Sequence, residues 1–374
     1  MRKVAVVVYR GARMRLLRLT FGSLLVFALG PLNAVGQERA GADLYVAACA
    51  ACHGAGGRGM PQSAVGFDVP LPDFSDCSFA SVEADADWMA VVHDGGPVRA
   101  FDRRMPAFGE ALSADELQRT LDHIRGFCSD SRWPRGELNL PRALVTEKAY
   151  PENETVLTTT FAATGRGTVV NELLYEQRLG ARAQFEIVVP FAAHDTGAGW
   201  RSGLGDVAVA LKRVIAHSLD AGRIVSGSAE VVLPTGSETD GIGSGTVVFE
   251  PFLTFGQVFP GDAFLQAQTG LELPRSGEKE GFWRVAFGRT FVQGRFGRAW
   301  SPLLEVLGAR DLQAGARAHW DLLPQMQVSL SKRQHILINA GVRIPVNDRA
   351  GRPIHVVTYV LWDWFDGGLL DGWR

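Results

Sequence analysis

The sequence predicts a small all-α domain followed by an antiparallel β-barrel of about twelve strands. Three observations carry that expectation. In the first third of the chain, apolar residues recur at helical spacing, as in Leu117, Leu121 and Ile124. From about residue 154 onward the apolar period falls to two and stays there. Between these regions, 131–153 is a Pro-rich, charged seam without helical period, with Trp133-Pro134-Arg135-Gly136-Glu137 and Tyr150-Pro151-Glu152-Asn153-Glu154. A chain of 374 residues has room for two domains. The expected division is a signal peptide at 1–36, a helical domain at 38–130, a linker at 131–153 and a barrel at 154–374.

The N-terminus reads as an export signal. Arg10, Arg13, Arg15 and Arg18 precede the apolar run 19–29, and Ala34 and Gly36 offer a cleavage point before Gln37. Met14 is an alternative start that gives a signal of ordinary length; an uncleaved anchor is the rival, but the run is short for one. The net charge of −2 gives no reason to expect a nucleic acid partner. Past the N-terminus no apolar run is long enough for a transmembrane helix.

Within the helical region, Cys49-Ala50-Ala51-Cys52-His53 has the spacing for covalent attachment of one c-type haem. Two thiols add to the porphyrin vinyl groups, and the adjacent His lies under the iron as proximal ligand. A zinc half-site would need a second ligand pair, which the sequence lacks; a thioredoxin-like redox pair is the other alternative. Gly54, Gly56, Gly57 and Gly59 follow, as suits a loop drawn closely round a porphyrin edge.

About 50 residues later comes Met105-Pro106, the candidate distal ligand. Core filling is the bland reading for a Met. Met60-Pro61 is a rival that would need a very tight loop, Met89 reads as core, and His93 would make a bis-His site. His123 reads as a helix-surface residue. Ser113-Ala114-Asp115-Glu116 is a capping box that opens a closing helix. Cys77 and Cys128 remain once the haem pair is set aside; an oxidising compartment favours a disulfide between them, and two free buried thiols are the alternative.

These features together resemble the small soluble cytochrome c family (class I) over roughly 38–130. The resemblance implies an N-terminal and a closing helix crossing beside the haem, with His53 and Met105 as axial ligands in an electron-transfer protein. One departure is the insertion Pro70–Cys77. The 95–104 loop, with Arg99, Arg103 and Arg104, either faces a haem propionate or is simply solvated.

Beyond the seam, the alternation is read strand by strand. In 183–191, Phe185, Ile187, Val189 and Phe191 oppose Gln184, Glu186 and Val188. In 325–330, Met326, Val328 and Leu330 oppose Gln325, Gln327 and Ser329. Such segments begin near 155, 168, 182, 206, 223, 245, 263, 282, 299, 317, 334 and 353. A soluble sheet would bury the apolar face, whereas a membrane barrel turns it to lipid. Three features favour the barrel. Tight turns (179–180, 260–262, 332–333) alternate with longer connections (193–204, 235–243, 275–281). Aromatics near strand ends (Phe252, Phe255, Phe282, Trp283, Trp320, Tyr359, Trp362, Trp364, Phe365) are compatible with interfacial girdles. The even strand count brings both barrel ends to one side.

Gly205-Asp206-Val207-Ala208-Val209, Leu233-Pro234-Thr235-Gly236 and Phe249-Glu250-Pro251 are similar to bacterial outer-membrane transporter and porin-type barrels. In such barrels a terminal aromatic marks the chain for insertion, but this chain ends Gly372-Trp373-Arg374. The combination resembles fused cytochrome–porin proteins. It implies a haem domain in the periplasm, tethered to an outer-membrane barrel and exchanging electrons with a redox donor or acceptor protein or an extracellular one. No catalytic constellation stands out. A soluble periplasmic shuttle or oxidoreductase subunit, and a transport pore with a haem sensor, are the alternatives.

Overall fold

The computed structural model describes residues 39–364. The expected signal peptide and the chain end beyond Trp364 lie outside the described residues.

Six α-helices build the first part: α1 (Gly41–Ala48), α2 (Ala50–His53), α3 (Gln62–Val65), α4 (Cys77–Ala80), α5 (Asp85–Asp94) and α6 (Ala114–Arg125). The capping box at the head of α6 is formed in both directions, the Ser113 hydroxyl accepting from the Glu116 amide and the Glu116 carboxylate accepting from the Ser113 amide at 2.9 Å. α6 buries Leu117, Leu121 and Ile124 and packs on α1, which buries Leu44 and Tyr45. The crossing is close enough to require Gly41, since a Cβ there would stand 2.1 Å from the Arg119 carbonyl oxygen. A disulfide joins Cys77, at the head of α4, to Cys128, just past α6. Arg125 braces the same region: its Nε donates to Asp85 at 2.7 Å, and its guanidinium lies 4.3 Å over the Trp88 ring.

Among the described residues, fourteen antiparallel strands follow; two are short accessories (Trp200–Leu204 and Phe291–Val292), leaving twelve that form the barrel. These are β1 (Glu154–Ala162), β2 (Thr168–Leu179), β3 (Ala183–Asp195), β4 (Val207–Ser218), β5 (Arg223–Leu233), β6 (Val248–Phe259), β7 (Ala263–Pro274), β8 (Glu280–Arg289), β9 (Ala299–Asp311), β10 (His319–Ser329), β11 (Ile336–Pro345) and β12 (His355–Asp363). Each strand pairs with the next in sequence, and β12 pairs back onto β1, so the sheet closes. The segment 193–204, expected as a loop, is instead a hairpin in which Asp195 pairs with Trp200. Gly197 and Gly199 make its turn at φ of 84° and 136°.

The two faces of the barrel are inverted relative to a soluble protein. On β4, Leu211 is 59 % exposed while its neighbour Lys212 is 2 % exposed. Ile215, Leu253, Phe287 and Met326 point outward and are exposed, whereas Glu176, Gln184, Gln266 and Glu305 point inward and are buried. Lipid, not water, suits the outer face. Three of the aromatics expected in girdles, Phe252, Phe282 and Tyr359, are instead buried on the inner face. Phe161, Phe191, Trp200, Phe249, Phe287 and Trp300 provide exposed aromatics at the outer face.

The helical domain sits on the tight-turn end of the barrel. The Arg99 guanidinium donates to the Phe296 carbonyl at 2.6 Å, and Arg333 lies 4.4 Å over the Phe101 ring. His335, in the turn before β11, bonds Glu83 of the helical domain at 3.1 Å and Asp363 of β12 at 3.0 Å. From the domain, residues 139–152 run on into the barrel bore, where Gln266 donates to the Pro141 carbonyl and Ser226 to the Ala149 carbonyl.

Candidate functional site

The site forms where α1 gives way to α2. Cys49 caps α1 and is buried; α2 then carries Cys52 and His53 through one helical turn, the His53 amide donating to the Cys49 carbonyl at 2.9 Å. The following loop folds back on this turn. The Gly59 amide donates to the His53 carbonyl and the Met60 amide to the Cys52 carbonyl, both at 2.8 Å. Gly54, Gly57 and Gly59 hold φ between 72° and 75°, a conformation that side chains oppose. Gly57 also has no room for a Cβ, which would meet the Phe127 ring at 2.7 Å.

Tyr45, Cys49, Phe74 and Ile124 make the core behind this turn, with Trp88 and Phe127 packed against it. The His53 ring stacks on Phe74 with centroids 4.8 Å apart. Among the described residues its Nδ1 is buried with no hydrogen-bond partner. Burial lowers the His53 pKa, which favours the neutral imidazole that ligates metal. The Cys49 thiol is pushed up to about 11, first by burial and then by Cys52 beside it. Both cysteines are free. A redox-active pair of the thioredoxin kind needs the opposite, a thiol pKa lowered toward neutrality.

This chemistry fits a covalently held haem: two unpaired thiols, a half-buried imidazole whose Nδ1 is unsatisfied and whose pKa is lowered, and a glycine-rich loop folded back on the same turn. Phe74 escaped the sequence reading because it lies in the Pro-rich insertion, where no period marks a packed residue.

The other candidates come from separate segments of the domain. Met105 comes from a separate loop and is half-buried; its carbonyl accepts from the Gly96 amide at 3.0 Å. Met60 is exposed and lies beside Gly54. His93 is engaged elsewhere: its Nδ1 pairs with Asp94, and its ring lies 5.5 Å from that of Phe296 in a barrel turn. His123 is not a free surface residue, since it packs 5.2 Å from Tyr45 and 5.0 Å from Phe127. Of the three loop arginines, Arg99 is buried against Asp87 at 2.8 Å and serves the contact with the barrel, while Arg103 and Arg104 are exposed.

Residues 36–124 match the family model described as cytochrome C oxidase, cbb3-type, subunit III. This part of the chain is a cytochrome c-type domain. No curated protein matches the chain. Among solved structures, the KdgM porin aligns at 10 % identity and a TM-score of 0.38, over 56 % of this chain and 99 % of its own. The NanC porin aligns at 8 % identity and 0.39, with the same coverage of both chains. The β domain of the Bordetella autotransporter BrkA aligns at 13 % and 0.37, over 56 % of this chain and 97 % of its own. The barrel stands on its own strand order and on its inverted faces, which fit an outer membrane. The cytochrome domain is thus joined to a membrane-type barrel in one chain.

Inside the barrel, the carboxylates of Glu147, Glu176 and Glu186 converge. They are already neutralised by protein cations: Lys212 lies 3.0 Å from Glu186, and Arg142 lies 2.9 Å from Glu176. The sequence signal for its wall members, Glu176, Glu186 and Lys212, was a charge at an inward position of each strand; Arg142 and Glu147, in the seam, gave none.

Proposed function

We propose that the chain is a haem electron-transfer protein whose cytochrome domain faces the periplasm, tethered to a barrel in the outer membrane, and that it passes electrons at or across that membrane. Cys49 and Cys52 would hold one haem c covalently, with His53 as the proximal and Met105 as the distal ligand. Bound there, haem c supplies one-electron exchange between ferrous and ferric iron, and a His/Met pair places the potential high. The protein's own contribution is to keep His53 neutral, to pack Phe74 against its ring and to hold the glycine loop folded back.

The observation that carries this reading is the half-buried His53, its Nδ1 unsatisfied, directly after two free cysteines, in a domain clamped to a barrel mouth. One haem at one face does not bridge a membrane, so a redox donor or acceptor beyond it completes the path.

The test is a reduced-minus-oxidised spectrum and a potential titration of the purified chain. A low-spin c-type signal is expected, together with a fall in potential in Met105→Ala. No c-type signal, or an unchanged potential in that variant, would contradict the assignment.

A further inference from the structure

A twelve-stranded barrel is wider than one whose bore its own side chains fill. Here the chain itself crosses the bore. In the closed strand order, β1 and β7 stand half a circumference apart, as do β3 and β9. The Arg142 guanidinium bonds Glu154 of β1 at 2.6 Å, while the Glu147 amide donates to Gln268 of β7 at 3.1 Å. The Glu152 amide donates to Gln184 of β3, while Leu144 through Thr146 bond Glu305 of β9. A segment held on both diameters lies across the bore and not along one wall.

Two features make this fit specific. Glu305 is fully buried and accepts from the amides of Leu144, Val145 and Thr146 at 3.0, 3.1 and 2.7 Å, and from the Thr146 hydroxyl at 2.6 Å. Successive backbone N–H groups converging on one anion form a nest, here closed by a wall carboxylate. The wall also leaves space for the segment's side chains. A Cβ on Gly341 would stand 2.7 Å from Leu144 Cδ1, and one on Gly256 would stand 3.1 Å from Leu140 Cδ1.

We propose that residues 139–152 are a resident plug that closes the barrel to ions and solutes, with Arg142 and Glu305 as its lock. The barrel is then an anchored scaffold for the cytochrome domain and not a diffusion pore. The proposal stands whether or not haem is bound.

The test uses the full-length chain in planar lipid bilayers bathed in potassium chloride, with heat-shifted gel migration as proof of a folded barrel. The wild-type chain is expected to show no steady open level. A folded Arg142→Ala, Glu305→Ala double variant is expected to show opening steps and a roughly tenfold or greater rise in mean conductance, as for an unblocked bore of this strand number. A steady open conductance from the folded wild-type chain overturns the proposal, whatever the variants do. Silence from the folded double variant also overturns it. If the double variant loses its heat shift, Gly341→Leu, which crowds Leu144 and leaves every charge in place, decides in the same way: opening supports the plug, and silence overturns it.

Discussion

His53 is half-buried and His335 buried, and their surroundings push them in opposite directions. Burial alone acts on His53 and lowers its pKa, which favours the neutral imidazole. Burial would lower His335 too, but Asp363 and Glu83 outweigh it and hold the pKa well above the ordinary value. The His335 contribution to stability is therefore complete below the unfolded value of about 6.5 and is lost as pH rises through the raised folded value. Release of the cytochrome domain by limited proteolysis is expected to quicken from about pH 6 to alkaline pH in wild type. His335→Gln should release it readily across the whole range, and a pH-independent wild type would contradict this. Truncation to His335→Ala leaves two carboxylates facing each other and should cost about 3 kcal/mol or more in chemical denaturation. The Cys-Cys-His turn was legible because its three residues are neighbours along one helical turn. Phe74 and the docking role of Arg99 were not, because each is defined by a partner distant in sequence, the ring of His53 and the carbonyl of Phe296.

At the scale of elements, the capping box at Ser113 and the disulfide from Cys77 to Cys128 hold the cytochrome domain's closing helix. Ser113→Ala should destabilise this domain by about 1 kcal/mol, read as a shift of its denaturation midpoint followed by helical circular dichroism. Replacing both Cys77 and Cys128 by Ser should cost about 2–4 kcal/mol by the same measure, because the bridge closes a long loop in the unfolded chain. Strand positions were readable from the sequence. With lipid on one side and a polar bore on the other, each step along a strand changes residue class, as from Leu211 to Lys212. The aromatics were legible only in part. Phe252 and Phe282 share the inward parity of Thr254 and Arg284, so the period of two already assigned them to the bore, whatever their nearness to strand ends. The seam's conformation was beyond the sequence: a stretch bonded through backbone amides to Glu305 needs no side-chain period, and none is present.

For the whole molecule, the inverted barrel, the filled bore and the clamped cytochrome domain point to one arrangement. On the proposed function, the barrel holds a redox domain at a membrane surface. The domain sits at the tight-turn end; on the proposed function that end faces the periplasm, as short turns do in outer-membrane barrels, and the longer loops would lie outside. The measurement that tests this most directly is a haem-stained gel of separated periplasm and outer membrane, run with heated and unheated samples. A haem band in the outer membrane that shifts on heating is the result expected for a folded barrel carrying a covalently bound haem. A haem band in the soluble periplasm with no heat shift, or a heat-shifted band in the outer membrane without haem, would contradict it.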